Sequence, residues 1–256
     1  MIFKILGCGS SMGVPRSDGF FGNCDPNNTK NYRTRCSAIL QTKSKNILFD
    51  TSPDLRSQLL DNKIKYINKV FFSHMHADQT HGINDLRVFF INRKKPIPVY
   101  ADSATKKYLF KTFSYCFKDN NIEYPAILKF NNIKKNVVFY DGKKKISINS
   151  IKVKHGRVFS MCYVINKKLA YISDVSKIYE KDYHHFYKLD YIIIDCLWYR
   201  KHPSHFNLEK CLEYAKIFKP KKMILTNMHS DLDYDILKKE LPKNIIPGFD
   251  GLKINL

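Results

Sequence analysis

The segment His74-Met75-His76-Ala77-Asp78-Gln79-Thr80-His81 places four metal-ligating side chains in eight positions of a 256-residue chain that has nine histidines. Imidazole and carboxylate groups are the natural ligands of zinc, manganese and iron. The apolar run Lys69-Val70-Phe71-Phe72-Ser73 directly before it reads as a strand. Ligands at i, i+2 and i+4 after a strand end can converge from a tight loop on one point. A polar loop with incidental histidines does not account for this concentration. Other His and Asp residues follow apolar runs: Asp50 after 46–49, His155 after 146–154, Asp174 after Tyr171-Ile172-Ser173, and His229 after 223–226. Singly, each is the kind of residue that more often caps or turns the chain.

The elements that must position these groups are legible as patterns. Apolar, β-rich runs recur at 2–6, 36–41, 46–50, 68–73, 137–140, 146–154, 160–165, 168–173, 190–195 and 222–226. Helical spacing occupies 53–61, 83–92, 103–114, 176–186, 207–218 and 234–240. Strands come in runs before helices interrupt them, which favours layered α/β architecture with mixed sheets over alternating parallel strands. No internal repeat, low-complexity tract or linker divides the chain, so one domain over 1–256 is expected. The loop 7–35, rich in Gly, is long for a structureless connection and is expected to be functional or ordered.

With these residues in place, the segment His74 to His81 resembles the His-x-His-x-Asp-His motif of the metallo-β-lactamase superfamily. The resemblance implies the αββα sandwich of that superfamily, two mixed sheets flanked by helices. It also implies a first metal held by His74, His76 and His155, Asp174 bridging to a second metal, and Asp78 and His229 holding that second ion, with Gln79 as a further weak ligand. Asp50 matches an aspartate that organises the site. A closer resemblance covers nearly the whole chain: Gly7-Cys8-Gly9-Ser10-Ser11-Met12-Gly13-Val14-Pro15, Arg35-Cys36-Ser37, Ser204-His205-Phe206-Asn207-Leu208 and Gly248-Phe249-Asp250-Gly251 are similar to the branch containing the phosphoribosyl 1,2-cyclic phosphate phosphodiesterase. In that branch His205 matches a histidine that acts on the substrate phosphate or leaving group, against a bland reading as a helix cap, for which Asn207 is better suited.

The sequence departs from the family pattern at two ligand positions. Gln79 stands where the motif has histidine, and an amide oxygen is a weaker ligand than an imidazole nitrogen, so the second of the two divalent ions, zinc or manganese, is expected to bind less tightly. His81 is a substitute, though Gly82-Ile83-Asn84-Asp85 after it reads as a helix start. In Thr226-Asn227-Met228-His229, the family histidine lies nearer Asn227, yet His229 is the better ligand type. The early loop keeps only Cys24 of a zinc-binding cysteine cluster, so no structural zinc is expected.

The resemblance implies a metal-dependent hydrolase, a phosphodiesterase acting on a small cyclic or nucleotide-like phosphate ester through a hydroxide generated at the metals. Asp78 and His205 are the candidate catalytic residues. His205 and Arg56 are candidate phosphate contacts, as is Arg87, although surface ion pairing is the common role of such arginines. A tRNA 3′-processing type of nuclease and a non-catalytic nucleotide- or metal-binding member of the fold are the alternatives.

Lys and Arg number 44 against 23 Asp and Glu, giving +21. Such a balance ordinarily points to nucleic acid, a membrane surface or phosphorylated substrates. Only eight of these cations are Arg, the better bidentate phosphate reader, and the lysines are dispersed rather than focused in one patch. Solvated charge is the expected role, and the gathering of anionic substrates is the alternative. Seven widely spaced cysteines read as reduced thiols. No apolar run reaches the ~18 residues of a bilayer span, and Met1 leads into a strand without a cleavage signature, so a cytoplasmic protein with no membrane partner is expected. Association into a homodimer is left open.

Overall fold

The computed structural model describes residues 1–118 and 125–256. Among these residues, fourteen strands form two seven-stranded sheets. The first sheet has the order β14 (Lys253–Asn255), β1 (Ile2–Gly7), β2 (Ser37–Gln41), β3 (Asn46–Phe49), β4 (Lys69–Phe71), β5 (Ile97–Ala101) and β6 (Leu128–Asn132). The second has the order β13 (Ile245–Pro247), β12 (Lys222–Thr226), β11 (Tyr191–Asp195), β10 (Leu169–Ile172), β9 (Val158–Ile165), β8 (Lys144–His155) and β7 (Asn136–Asp141). Both are mixed. Pairing is antiparallel from β14 to β3 and parallel from β3 to β6. It is likewise antiparallel from β7 to β10 and parallel from β10 to β13.

The helices follow from this pairing, because parallel neighbours need a crossover connection. Helix α1 (Leu55–Asp61) joins β3 to β4; α2 (Ala77–Thr80) and α3 (Arg87–Arg93) join β4 to β5. Helices α4 (Ser103–Thr112) and α5 (Ser114–Phe117) lie between β5 and β6. In the second sheet α6 (Leu208–Phe218) connects β11 to β12, and α7 (Tyr234–Glu240) connects β12 to β13. Side-chain oxygens of Asp102, Asn207 and Asp233 accept the first free N–H groups of α4, α6 and α7, which is why these helices begin where they do.

The two sheets pack face to face. Phe3 and Phe49 of the first sheet meet Tyr171 of the second, and Phe49 and Phe71 meet Tyr163, with ring centroids 5.3–5.9 Å apart. The outer face of the first sheet is covered by Leu55, Leu59, Phe89 and Leu109 from its helices, and that of the second by Cys211, Tyr214, Phe218 and Leu237. Strands β10 to β12 are therefore buried on both faces and read as continuous apolar runs. Strand β7 is an edge and shows alternation instead. The result is the expected αββα sandwich.

The structure corrects several element boundaries. Strand β5 was not expected, because Pro98 demotes the run Ile97–Ala101 in a sequence reading; the sheet accepts it between β4 and β6. Strands β6, β13 and β14 are also additional to the sequence reading. The helix expected at 176–186 is absent: a 3-10 turn covers Glu180–His185, and Lys177 instead bridges to Lys154. The early loop is ordered by extended bridges, Gly9 with Arg35 and with Met228, and Val14 with Arg33. Arg33 is fully buried there, donating to the carbonyl oxygens of Leu232 at 2.7 Å and His229 at 3.4 Å and approaching Cys24 Sγ at 3.9 Å. None of the seven cysteines is disulfide-bonded.

Candidate metal centre

The groups of interest gather at the carboxyl ends of the parallel strands, where open α/β sheets place their ligands. Asp50 follows β3 and His74 and His76 follow β4; Asp174 follows β10, Asp195 ends β11 and Asn227 follows β12. His155 ends β8. Its approach depends on Gly156, which has φ +55 and passes so close to Ser204 that a Cβ would sit 2.6 Å from Ser204 Oγ. Gly82 plays the same part for the loop after β4: a Cβ there would meet Ser52 O at 2.0 Å.

Hydrogen bonds fix each imidazole. Asp50 Oδ1 accepts from the Ser73 backbone N–H at 2.6 Å, and Ser73 Oγ lies 3.0 Å from His74 Nδ1. His155 Nδ1 lies 2.8 Å from the Ser204 carbonyl, which only accepts, so Nδ1 carries a proton and Nε2 is the atom that faces the other imidazoles. That Nε2 is 3.2 Å from His76 Nδ1, and His74 Nε2 is 2.9 Å from the same atom. Burial pushes the His74 imidazole down to about 3, further than Asp174 can raise it, and burial with His155 beside it also lowers His76.

The ligand atoms of His74, His76 and His155 all lie within 4.8 Å of one another, as do those of His155, Asp174 and His205. Imidazoles facing each other across such distances, two of them buried, cannot all satisfy one another as donors and acceptors. Three nitrogen ligands beside an ionised carboxylate fit a divalent cation of the zinc or manganese kind.

Asp174 and Asp78 are pushed apart in acidity. Burial would raise Asp174, but His74, His155 and His205 hold it below the ordinary carboxylate value. Burial and the Asp174 charge raise Asp78 to about 6. Gln79 Nε2 donates to both carboxylates, at 3.1 Å to Asp78 Oδ2 and 3.2 Å to Asp174 Oδ2. His205 Nδ1 lies 2.8 Å from Asp195 Oδ2 and 3.8 Å from Asp174 Oδ1. Burial would lower His205; the Asp195 and Asp174 carboxylates outweigh it and push the imidazole up to about 9.

A cavity of about 280 Å³ is lined by His76, Asp78, His155, Asp174, His205 and Asn227. Ser10, Met12, Trp198, His202 and His229 also line it.

Four sequence expectations are placed differently by the structure. His229 reaches the wall but not the carboxylates: its ring stands edge-on to Trp198 at 5.1 Å, and its Nδ1 faces Ser230 Oγ and Asp231. The neighbouring Asn227 is the residue that meets Asp174. His81 turns outward to Tyr108 Oη at 2.8 Å. Arg56 is exposed on α1, where its charge acts on Asp85, and it does not line the cavity. Arg87 is exposed at the start of α3 and does not line the cavity either. Asp195 was missed. Its signal was the apolar run Tyr191–Ile194 ending in an aspartate, the arrangement already noted at Asp50 and Asp174.

A family model described as beta-lactamase superfamily domain matches residues 45–228. The chain belongs to this superfamily. Within it, the chain is similar to a diphosphatase from the PhnP family, 27% identical, whose crystal structure superposes with a TM-score of 0.87 over 100% of this chain and 97% of that one. An octanoyltransferase from Porphyromonas gingivalis is 29% identical over 253 residues, 97% of this chain and 50% of that protein. A ribonuclease Z from Crocosphaera subtropica is 29% identical over 109 residues, 41% of this chain and 34% of that protein. The chain thus spans half or less of the length of these curated relatives. Among the described residues, no helix is long and apolar enough to cross a membrane.

Proposed function

We propose that this chain is a metal-dependent hydrolase that cleaves a small phosphate diester or diphosphate. The observation that carries the reading is the convergence of His76, His155, Asp174 and His205 on one cavity, with the buried His74 beside His76 and the buried Asp195 holding His205. The likeness to the PhnP-family diphosphatase over the whole chain supports phosphate as the reacting group.

His74, His76, His155 and Asp174 would hold the cation. When bound, a divalent cation supplies Lewis acidity toward a phosphoryl oxygen and eases deprotonation of water. The chain's own residues do the rest. Asp50 and Ser73 orient His74, and the Ser204 carbonyl fixes the His155 tautomer. Asp195 holds the His205 ring through Nδ1 and stabilises its protonated form, which leaves Nε2 to donate to a phosphoryl or leaving-group oxygen. The cavity volume of about 280 Å³ admits the phosphate portion of a small ester, with Trp198 and Met12 as apolar walls for what is attached to it.

The test is a screen of the zinc- or manganese-loaded chain against bis-p-nitrophenyl phosphate, cyclic nucleotides and a short RNA. Turnover of the first two supports the reading, and activity on none of these nor on a dinucleoside diphosphate sinks it. A nuclease is the second reading, favoured by the ribonuclease Z likeness and the +21 charge. Activity that falls steeply with added salt, confined to RNA, would favour it.

A further inference from the structure

We propose that this chain holds one divalent cation rather than two, because the side-chain amides of Gln79 and Asn227 occupy the place of the second. The inference rests on the reading of the three imidazoles as a metal site. It concerns what stands opposite them.

A second cation in this fold needs the free lone pairs of Asp78 and Asp174. Gln79 Nε2 lies between them, 3.1 Å from Asp78 Oδ2 and 3.2 Å from Asp174 Oδ2. Asn227 Nδ2 covers the other oxygen, at 3.2 Å from Asp174 Oδ1, and is also 3.2 Å from Asp195 Oδ1 and the Ser173 carbonyl. An amide nitrogen carries two hydrogens and offers a cation no lone pair. An amide donor therefore stands on each oxygen of Asp174 and takes one of its lone pairs, leaving the others for the first ion.

Turning the amides over does not restore a site at low cost. Gln79 is fully buried, and its Oε1 has no hydrogen-bond partner. Reversal would aim that oxygen at two carboxylates and leave the buried –NH₂ unpaired instead. For Asn227, reversal would set a carbonyl oxygen against Asp174, Asp195 and the Ser173 carbonyl, three acceptors, with His205 Nδ1 at 3.2 Å as the single neighbour able to donate to it.

The remaining ligand types agree. Among the described residues, the two groups of His, Cys, Asp and Glu that converge closely enough for a metal include neither Asp78 nor His229.

The test is stoichiometry, independent of turnover. The full chain is stripped with a chelator, titrated with Zn²⁺ by calorimetry, and its metal counted by atomic emission; Co²⁺ absorbance gives a second count. One equivalent per chain is expected for the wild type, and two for the double variant Gln79→His, Asn227→His. Two equivalents in the wild type with affinities within about tenfold of each other would overturn the inference while leaving the first site intact. One equivalent in a folded double variant would show that the amides are not what closes the site. No uptake at all by the wild type would overturn both this inference and the metal reading beneath it.

Discussion

His205 Nδ1 lies 2.8 Å from Asp195 Oδ2, and Asp195 in turn accepts the Val175 backbone N–H at 2.9 Å. The carboxylate is fully buried and anchored to the chain after β10, so it fixes the ring that faces the cavity. Two substitutions separate the roles. His205→Ala is expected to lower kcat on a phosphate diester by ~10²–10⁴ with metal content unchanged. Asp195→Asn is expected to lower kcat by a smaller factor while KM stays near the wild-type value. Steady-state kinetics with metal analysis checks both, and an unaltered kcat in His205→Ala would remove that residue from the chemistry.

Metal retention is expected to depend on the imidazole cluster. His74→Ala and His155→Ala each remove a nitrogen from the group within 4.8 Å. A ligand at ~100 times its dissociation constant stabilises the native state by about 2.7 kcal/mol. Added Zn²⁺ should therefore raise the melting temperature of the chelator-stripped wild type and leave that of either variant nearly unmoved.

Phe49 is the test of the sheet-to-sheet core. It is fully buried, with Phe3, Phe71, Tyr163 and Tyr171 around it at centroid distances of 5.3–5.9 Å. Phe49→Ala leaves a cavity between two sheets that cannot collapse around it, and about 3–5 kcal/mol of stability should be lost. Urea unfolding midpoints would show this; a loss under about 1 kcal/mol would mean that the layers repack freely.

Asp54 carries a pH dependence. Burial alone would raise its carboxyl, but the Arg35 side chain and backbone N–H, all at 2.5–2.8 Å, hold it below the ordinary carboxylate value. A depressed folded-state value means that the contribution is complete above the unfolded carboxyl range, near about 4, and is lost as pH falls through the folded value. The stability gap between wild type and Asp54→Asn should be full at neutral pH and shrink below about pH 4. A gap that is constant down to strong acid would remove this ion pair from the account.

The sequence by itself determined the superfamily and singled out His74, His76 and His155 as candidate ligands, because both rest on local order. A strand must end before His74, and the runs before Asp50, His155 and Asp174 are apolar enough to be read as buried strands. Such patterns need no knowledge of which strand lies beside which. Strand β5 escaped because Pro98 is a poor strand residue in isolation, while its place between β4 and β6 comes from pairing partners distant in sequence. The same distinction governs the site. Ligand type favoured His229 over Asn227, and nothing local contradicts that choice. Only the packing of β10, β11 and β12 side by side brings Asn227 to Asp174 and Asp195 and turns His229 toward Trp198 and Asp231. Residue types told which groups can bind a metal; the register of three parallel strands decided which of them face one another.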